Sequence, residues 1–497
     1  LYSEGVRPGD TITDYDGHKY YNSQDHLLSA MTSGDEVSVN GMYIDYPTHQ
    51  QKSFSTEVTP YPHPHYINNE LMTTGVLDSA RFLYFSKGGL ELKGIDADSY
   101  PAKDSGLQSG DRIVWVDGHL IFSSSQLGYL LNQEYALLTV ERKGEILSRR
   151  VPRVTMKNYL LTQGQKEEFS DWSFALQKDT DAISDLFFIP YDLTQDCRVE
   201  SRLIFADEDD QIKAFPKKVD SILEDSLLEG DLILTVDGVD VSYGLDVLSA
   251  LQSHQLHMIV LRQDKALEKV SWDGSDDYFF DKEISWEDLS VLESKIGESF
   301  DKTISSGSLV LLKPIVPLKE IDFPMSAEAR AELILMQMEH KANLEKIKDE
   351  SQKEAAFVLL NKMQANKQLG IALHDQKVQY NPKPWDMMLQ ILNSTVRNLK
   401  SLFVGDLNPK WMSGPVGIVQ VMQISWATGA KEALFWVGMV SLGLGIFNLF
   451  PIPSLDGGYI LISLFEMITG RTVQPKTMQK IIFPFFMLIL GFLIFVT

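Results

Sequence analysis

The sequence predicts a multidomain membrane protein: tandem small α+β modules rich in strand, a long amphipathic helix, then an α-helical membrane region with two spans. Three observations predict it. A Gly-Asp to Asp-Gly pattern recurs three times in the first half of the chain. A charged stretch with helical apolar periodicity follows at 325–368. Two uncharged apolar runs, 433–450 and 481–496, lie near the end. A chain of 497 residues is long enough for several domains.

The repeats organise the first half. They read GDTITDYDG from Gly9, GDRIVWVDG from Gly110 and GDLILTVDG from Gly230, with Gly17, Gly118 and Gly238 at the same spacing. Gly-Asp makes a turn, the next residues run as a half-buried or buried strand, and Asp-Gly makes the next tight turn. Each copy continues into a helix-like stretch (23–31, 123–131, 243–252) and a closing strand (36–43, 136–142, 257–262). The spacing of about a hundred residues suits separate small domains rather than a solenoid. The expected boundaries are 1–60, 81–155 and 200–275, the first copy having almost nothing before its Gly-Asp turn.

This pattern resembles PDZ domains. That resemblance implies binding of an extended peptide at a sheet edge; the alternative is a set of β-rich spacers.

From 326 to about 367, Leu333, Met336, His340, Leu344, Ile347, Ala355 and Val358 fall on one stripe, with Ser326 as N-cap. A packing or spacer helix is expected, with His340 a packing residue. Residues 370–379 alternate as a strand. Residues 385–403 then read as a second amphipathic helix, suited by length and pattern to a membrane surface.

Charge is unevenly spread. Residues 370–497 hold nine Lys/Arg against six Asp/Glu, a balance of +3, so residues 1–369 carry −26 of the chain's net −23. An acidic soluble part argues against nucleic acid and against adsorption to anionic lipid. The single cysteine, Cys197, excludes an internal disulfide and reads as an ordinary surface or half-buried thiol.

The chemistry concentrates at 448–458, NLFPIPSLDGG. A carboxylate, Asp456, stands between apolar segments, where an ionisable group by default marks a functional site. Pro451 and Pro453 break the helix before it, and broken backbone at membrane depth requires protein or a water-filled cavity around it.

Asn448, Pro451, Pro453, Leu455, Asp456 and Gly457 resemble the second motif of the site-2 protease family. Its members are zinc metalloproteases that cut inside membranes. Gly414-Pro415-Val416-Gly417-Ile418 resembles that family's loop before its third membrane helix, and 404–413 the approach to it. The resemblance is specific over 369–497; its closest group is the bacterial regulator-of-sigma-E type, whose members carry PDZ domains. It implies that Asp456 is a Zn2+ ligand and that Asn448 holds substrate backbone. Pro451, Pro453, Gly414, Pro415 and Gly417 would complete the substrate-binding region. It further implies hydrolysis of membrane-protein substrate helices of the anti-sigma-factor or signal-peptide-remnant type, in the lipid bilayer, with PDZ-like units as gates.

One departure is large. The family's HExxH, which supplies two His ligands and a Glu base, is absent: none of the ten histidines is followed by Glu. The expectation is therefore a C-terminal part of a longer enzyme, with no catalytic residue of its own and a zinc site completed from outside these residues. The alternative is a non-catalytic, membrane-anchored peptide-binding scaffold. Other imidazoles (His63 with His65, His254 with His257, His374) lack the spacing of a metal site, and no GxSxG occurs.

The run 433–450 spans about 27 Å as a helix. Arg471, Lys476 and Lys480 stand without an acid in 469–480. The positive-inside rule puts that loop in the cytoplasm of a bacterial inner membrane, and the acidic modules and C-terminus in the periplasm.

Overall fold

The structure, a computed structural model, describes residues 1, 4–7, 9–19, 23–32, 35–45, 50–62, 72–75, 83–86, 100–155, 163–176, 185–202, 205–206, 212–213, 227–262, 270–272, 284–323, 326–346, 350–375, 378–380, 383–404 and 415–496. The chain divides into two compact units, 1–77 with 271–278 and 379–497, and 78–270 with 279–378.

In the first unit, β1 (Thr11–Tyr15), α1 (Ser23–Thr32), β2 (Val37–Asp45) and β3 (Gln50–Val58) form the first copy. β1 pairs antiparallel with β2, which hairpins into β3. The Asp16-Gly17 turn has both residues at positive φ, 50° and 74°, the conformation that makes Asp-Gly the favoured short hairpin turn. The turn is tied to the closing strand: Asp16 N–H donates to Ser38 O and Ser38 N–H to Asp16 Oδ1, both at 2.8 Å. This copy closes on itself.

The second unit holds the other two copies and connects them differently. Its elements begin with β4 (Leu83–Ser86), β5 (Arg112–Val116), α2 (Ser124–Asn132), β6 (Tyr135–Arg142) and β7 (Glu145–Pro152). β8 (Tyr191–Leu193), β9 (Val199–Arg202), β10 (Leu232–Val236), α3 (Gly244–Leu251) and β11 (Met258–Leu261) follow. Then come α4 (Trp286–Glu293), β12 (Leu309–Leu311), α5 (Ala327–Glu345), α6 (Glu350–Ala365) and β13 (Ala372–Asp375).

The closing strand of each copy completes the sheet of the other. β6 pairs with β10, Leu138 opposite Val236. β11 pairs with β5, Met258 opposite Val116. The described residues between 135 and 252 thus form an inner module, inserted between α2 and β11 of an outer module ordered β12-β11-β5-β4-β13. The hydrogen-bonded sheets cross the limits 81–155 and 200–275 that copy-by-copy spacing suggests.

The same side chains fasten both modules. Asp117 Oδ1 accepts from His257 N–H and Asp237 Oδ1 from Leu137 N–H, each at 2.8 Å. At the far end of each strand, an arginine pairs bidentately with the Gly-Asp carboxylate: Arg142 with Asp231 at 2.7 and 2.8 Å, Arg262 with Asp111 at 2.6 and 2.8 Å.

Each module has its own core. Leu127, Leu130 and Leu131 of α2, at helical spacing, bury against Phe85, Ile113, Met258 and Val260. Ser123 caps that helix, its hydroxyl accepting from Gln126 N–H at 3.0 Å. α4 covers the opposite face of the outer sheet through Leu289 and Leu292, against Trp115, Ile259 and Leu311. In the inner module Val247 and Leu251 of α3 pack on Leu138, Val140, Ile233 and Cys197. Cys197 is therefore not a surface thiol. It is 1% exposed, in a turn at φ 63° that points its small apolar side chain into the core.

The long helix is two helices, α5 and α6, and Lys367 is already in a strand. Its stripe does not pack as expected: Met336 and Val358 are exposed, as is His340.

The remaining helices belong to the first unit: α7 (Pro384–Val404), α8 (Pro415–Thr428), α9 (Ala430–Asn448), α10 (Asp456–Thr469) and α11 (Pro475–Val496). α7 and α8 both pack against α9. Among the described residues, α9 is the one helix long and apolar enough to cross a membrane by length and composition. α11 covers the second apolar run and contains Pro484. Residues 415–418, expected as loop, open α8, with Pro415 at the first helical position, where its missing N–H costs nothing. The expected polar loop 469–480 is shortened likewise, since α11 starts at Pro475.

Candidate functional site

The break between α9 and α10 is built by local sequence. Asn448 is the last residue of α9, and Leu449 and Phe450 continue in tightening turns, donating to Ile446 O and Phe447 O at 3.1 Å. Pro451 and Pro453 have no N–H, so the helix cannot continue through them. Ile452 N–H turns back to Phe450 O at 2.7 Å and Leu455 N–H to Ile452 O at 2.9 Å. Leu455 is the N-cap of α10 and Asp456 its first helical residue.

Asp456 is exposed, one residue past the N-cap of α10. Its carboxylate stands in the first turn of α10, where the positive end of the helix favours a negative charge. Asn448 is half-buried at the other end of the same break. Pro451 and Pro453 line an apolar cleft of about 290 Å³ with Gly458, Leu461, Phe465 and Ile481. Pro415 and Gly417 lie in the first turn of α8. Gly414 lies outside the described residues.

Sequence reasoning missed Gly458. A Cβ on Gly457 would collide with the carbonyl oxygens of Leu449 and Phe450, and one on Gly458 with Ile452 O, 2.6 Å from Pro453 Cα. The signal was available: two consecutive glycines in a first helical turn cost about 1 kcal/mol each relative to alanine, a conflict that marks a constrained site.

A metal needs more than this. Among the described residues no three His, Cys, Asp or Glu side chains converge. Asp456 offers one oxygen ligand, where a catalytic zinc takes three protein ligands. His254 is half-buried, and its pKa is pulled down to about 4 by burial and then by Arg153. His257 is fully buried, with Nδ1 3.7 Å from Asp117 Oδ1 and its ring edge-on to Phe300. His374 is exposed beside Tyr84. His63 and His65 lie outside the described residues.

A second candidate surface is shared by the two modules of the second unit. The side chain of Asn132, at the end of α2, bonds Lys367 N–H and O at 2.6 and 3.2 Å. Gln252, after α3, bonds Phe187 N–H and O at 3.0 and 2.9 Å. Among the described residues, each anchored segment leads into a strand at the edge of its sheet, β13 or β8.

Residues 160–493 match peptidase family M50. A Chlamydia pneumoniae protein whose name marks it provisionally as a zinc metalloprotease is 33% identical over 502 residues, covering all of this chain and 75% of that protein. A Chlamydia trachomatis protein of the same designation is 30% identical with the same coverage. The regulator of sigma E protease of Salmonella typhi is 36% identical over 91 residues, 18% of this chain and 20% of that protein.

Proposed function

The chain belongs to peptidase family M50, the site-2 protease family of integral membrane proteases, and from that premise we propose that it is part of a zinc-dependent intramembrane endopeptidase. Its substrates are transmembrane segments of membrane proteins. Asp456 is one zinc ligand, and the others come from residues outside these 497. Asn448 holds unwound substrate backbone. The modules act as PDZ-like gates at their free sheet edges, on the periplasmic side, with 470–480 in the cytoplasm.

The single observation that carries this reading is the state of Asp456. An exposed carboxylate stands at a proline-made break between apolar helices, one residue past the N-cap of α10, and an ionisable group at membrane depth by default marks a functional site. Zinc, when bound, would activate a water for peptide hydrolysis. The chain's own residues hold the substrate extended and present one anionic ligand.

The test is Asp456→Asn in the full-length protein. The neutral amide is a poor zinc ligand, so bound zinc and substrate cleavage should both fall by at least tenfold, with membrane insertion retained. Unchanged zinc content and cleavage would overturn the reading. The absence of HExxH from the sequence supports a second reading, a non-catalytic peptide-binding scaffold; a full-length protein that neither binds zinc nor cleaves would favour it.

A further inference from the structure

We infer that Gly458, together with Gly457, is a positioning residue that fixes where Asp456 stands relative to Asn448; this rests on the proposed role of Asp456. In this region two backbone segments touch with no side chain between them. The α10 start crosses the proline-broken segment so closely that a Cβ on Gly457 would strike Leu449 O and Phe450 O, and one on Gly458 would strike Ile452 O and lie 2.6 Å from Pro453 Cα. These obstacles are backbone, which cannot rotate aside as a side chain can.

Proline and glycine divide the work. Pro451 and Pro453 prevent the segment from continuing as helix. The two glycines then let it fold back on the first turn of α10, and both are buried there. Gly458 N–H also closes the turn onto Leu455 O at 3.0 Å. Asp456 lies between the cap, Leu455, and this pair, so its Cα position follows from the contact. Any group at 458 larger than hydrogen must push α10 away from 451–453 and carry Asp456 with it. Close packing leaves no slack to absorb such a shift, and a displacement of about 1 Å at a reacting group can lower a rate by about 10²-fold.

The molecule supplies its own controls. Gly438, Gly443 and Gly445 of α9 and Gly491 of α11 have nothing within 4 Å of an added Cβ. The crowding at Gly457 and Gly458 is thus a property of the break and not of glycines in these helices.

The experiment uses the full-length protein in membranes, with Gly458→Ala, Gly457→Ala and the controls Gly443→Ala and Gly491→Ala. Turnover of a model transmembrane substrate should fall at least tenfold for Gly458→Ala and Gly457→Ala, mainly in kcat, with controls within twofold. A second readout is independent of activity. Asp456→Cys places a thiol at the exposed position, the native Cys197 being buried, and its maleimide labelling rate is measured with and without Gly458→Ala. A change of threefold or more at 456, with insertion unchanged, supports positioning. Full activity of Gly458→Ala overturns it, as does lost activity with an unchanged labelling rate. The ligand reading fails separately, if Asp456→Asn retains zinc and cleavage while the labelling shift persists.

Discussion

The first copy of the repeat and the nested pair in the second unit use the same local signals and reach different connectivity. Asp16, Asp117 and Asp237 all stand at positive φ (50°, 42°, 46°) before a glycine and all accept a backbone N–H from a closing strand. In the first copy that strand is the next one along the chain. In the other two it comes from the partner copy. The clamp therefore specifies the kind of strand that closes a module and not which one.

The difference also changes what is buried. Asp16 is exposed. Asp237 and Arg153 form an ion pair with both side chains 1% exposed, and Arg153 further donates to Leu251 O at 2.8 Å. Burial pushes the Asp237 carboxyl up to about 6, against the pull of Arg153, with Asp117 adding to the push. Burial also acts to raise Asp117, but His257 and Arg150 hold it below the ordinary carboxylate range.

The comparison breaks if equivalent substitutions cost the same in the two regions. The largest effect is expected from Asp237→Ala, which strands Arg153 as an unpaired buried charge and should destabilise the inner module by about 3–5 kcal/mol. Asp16→Ala, which removes the exposed hydrogen bond from Ser38 N–H, should cost about 0.5–1.5 kcal/mol. Hydrogen exchange resolved by module in the intact protein measures both; equal losses would mean that the buried pair contributes no more than the exposed clamp.

A smaller effect is expected at the turn glycines. At Gly238 an added Cβ would lie 2.9 Å from His257 Nε2 and 3.1 Å from Phe300, whereas at Gly17 nothing lies within 4 Å. Both substitutions carry the cost of a side chain at positive φ, about 1 kcal/mol, and Gly238→Ala should cost about 1–2 kcal/mol more. Thermal melts of the two variants rank them, and Gly17→Ala proving the worse would refute the crowding argument.

The smallest effect sharpens the comparison through pH. Glu293 of α4 belongs to the outer module alone. Its carboxyl is pushed by burial up to about 7, with its hydrogen bond from Trp115 opposing the shift. A pKa raised on folding means that stability is full below about 4.5, the unfolded value, and is lost as pH rises through about 7. Because Glu293 is only half-buried, the loss at pH 8 is about 1–2 kcal/mol. Glu293→Gln should recover that amount at pH 8 and nothing near pH 4.5, and a gain equal at both pH values would point to a cause other than ionisation.

The sequence by itself determined the local elements. The Gly-Asp and Asp-Gly turns, the apolar faces of α2 and α3, and the proline break before Asp456 are dictated by backbone sterics and side-chain period, which act within a few residues. The same reach located the candidate site, since an aspartate after a proline-broken apolar run needs no distant information. Tertiary structure alone decided the rest. Which closing strand meets which Gly-Asp strand depends on competing long-range pairings of similar local preference. Whether a helical stripe is covered depends on what packs there, so Met336, His340 and Val358 of α5 and α6 are exposed while the leucines of α2 are buried. And the need for glycine at 458 comes from one backbone segment lying against another, a contact that exists only once the chain has folded back on itself.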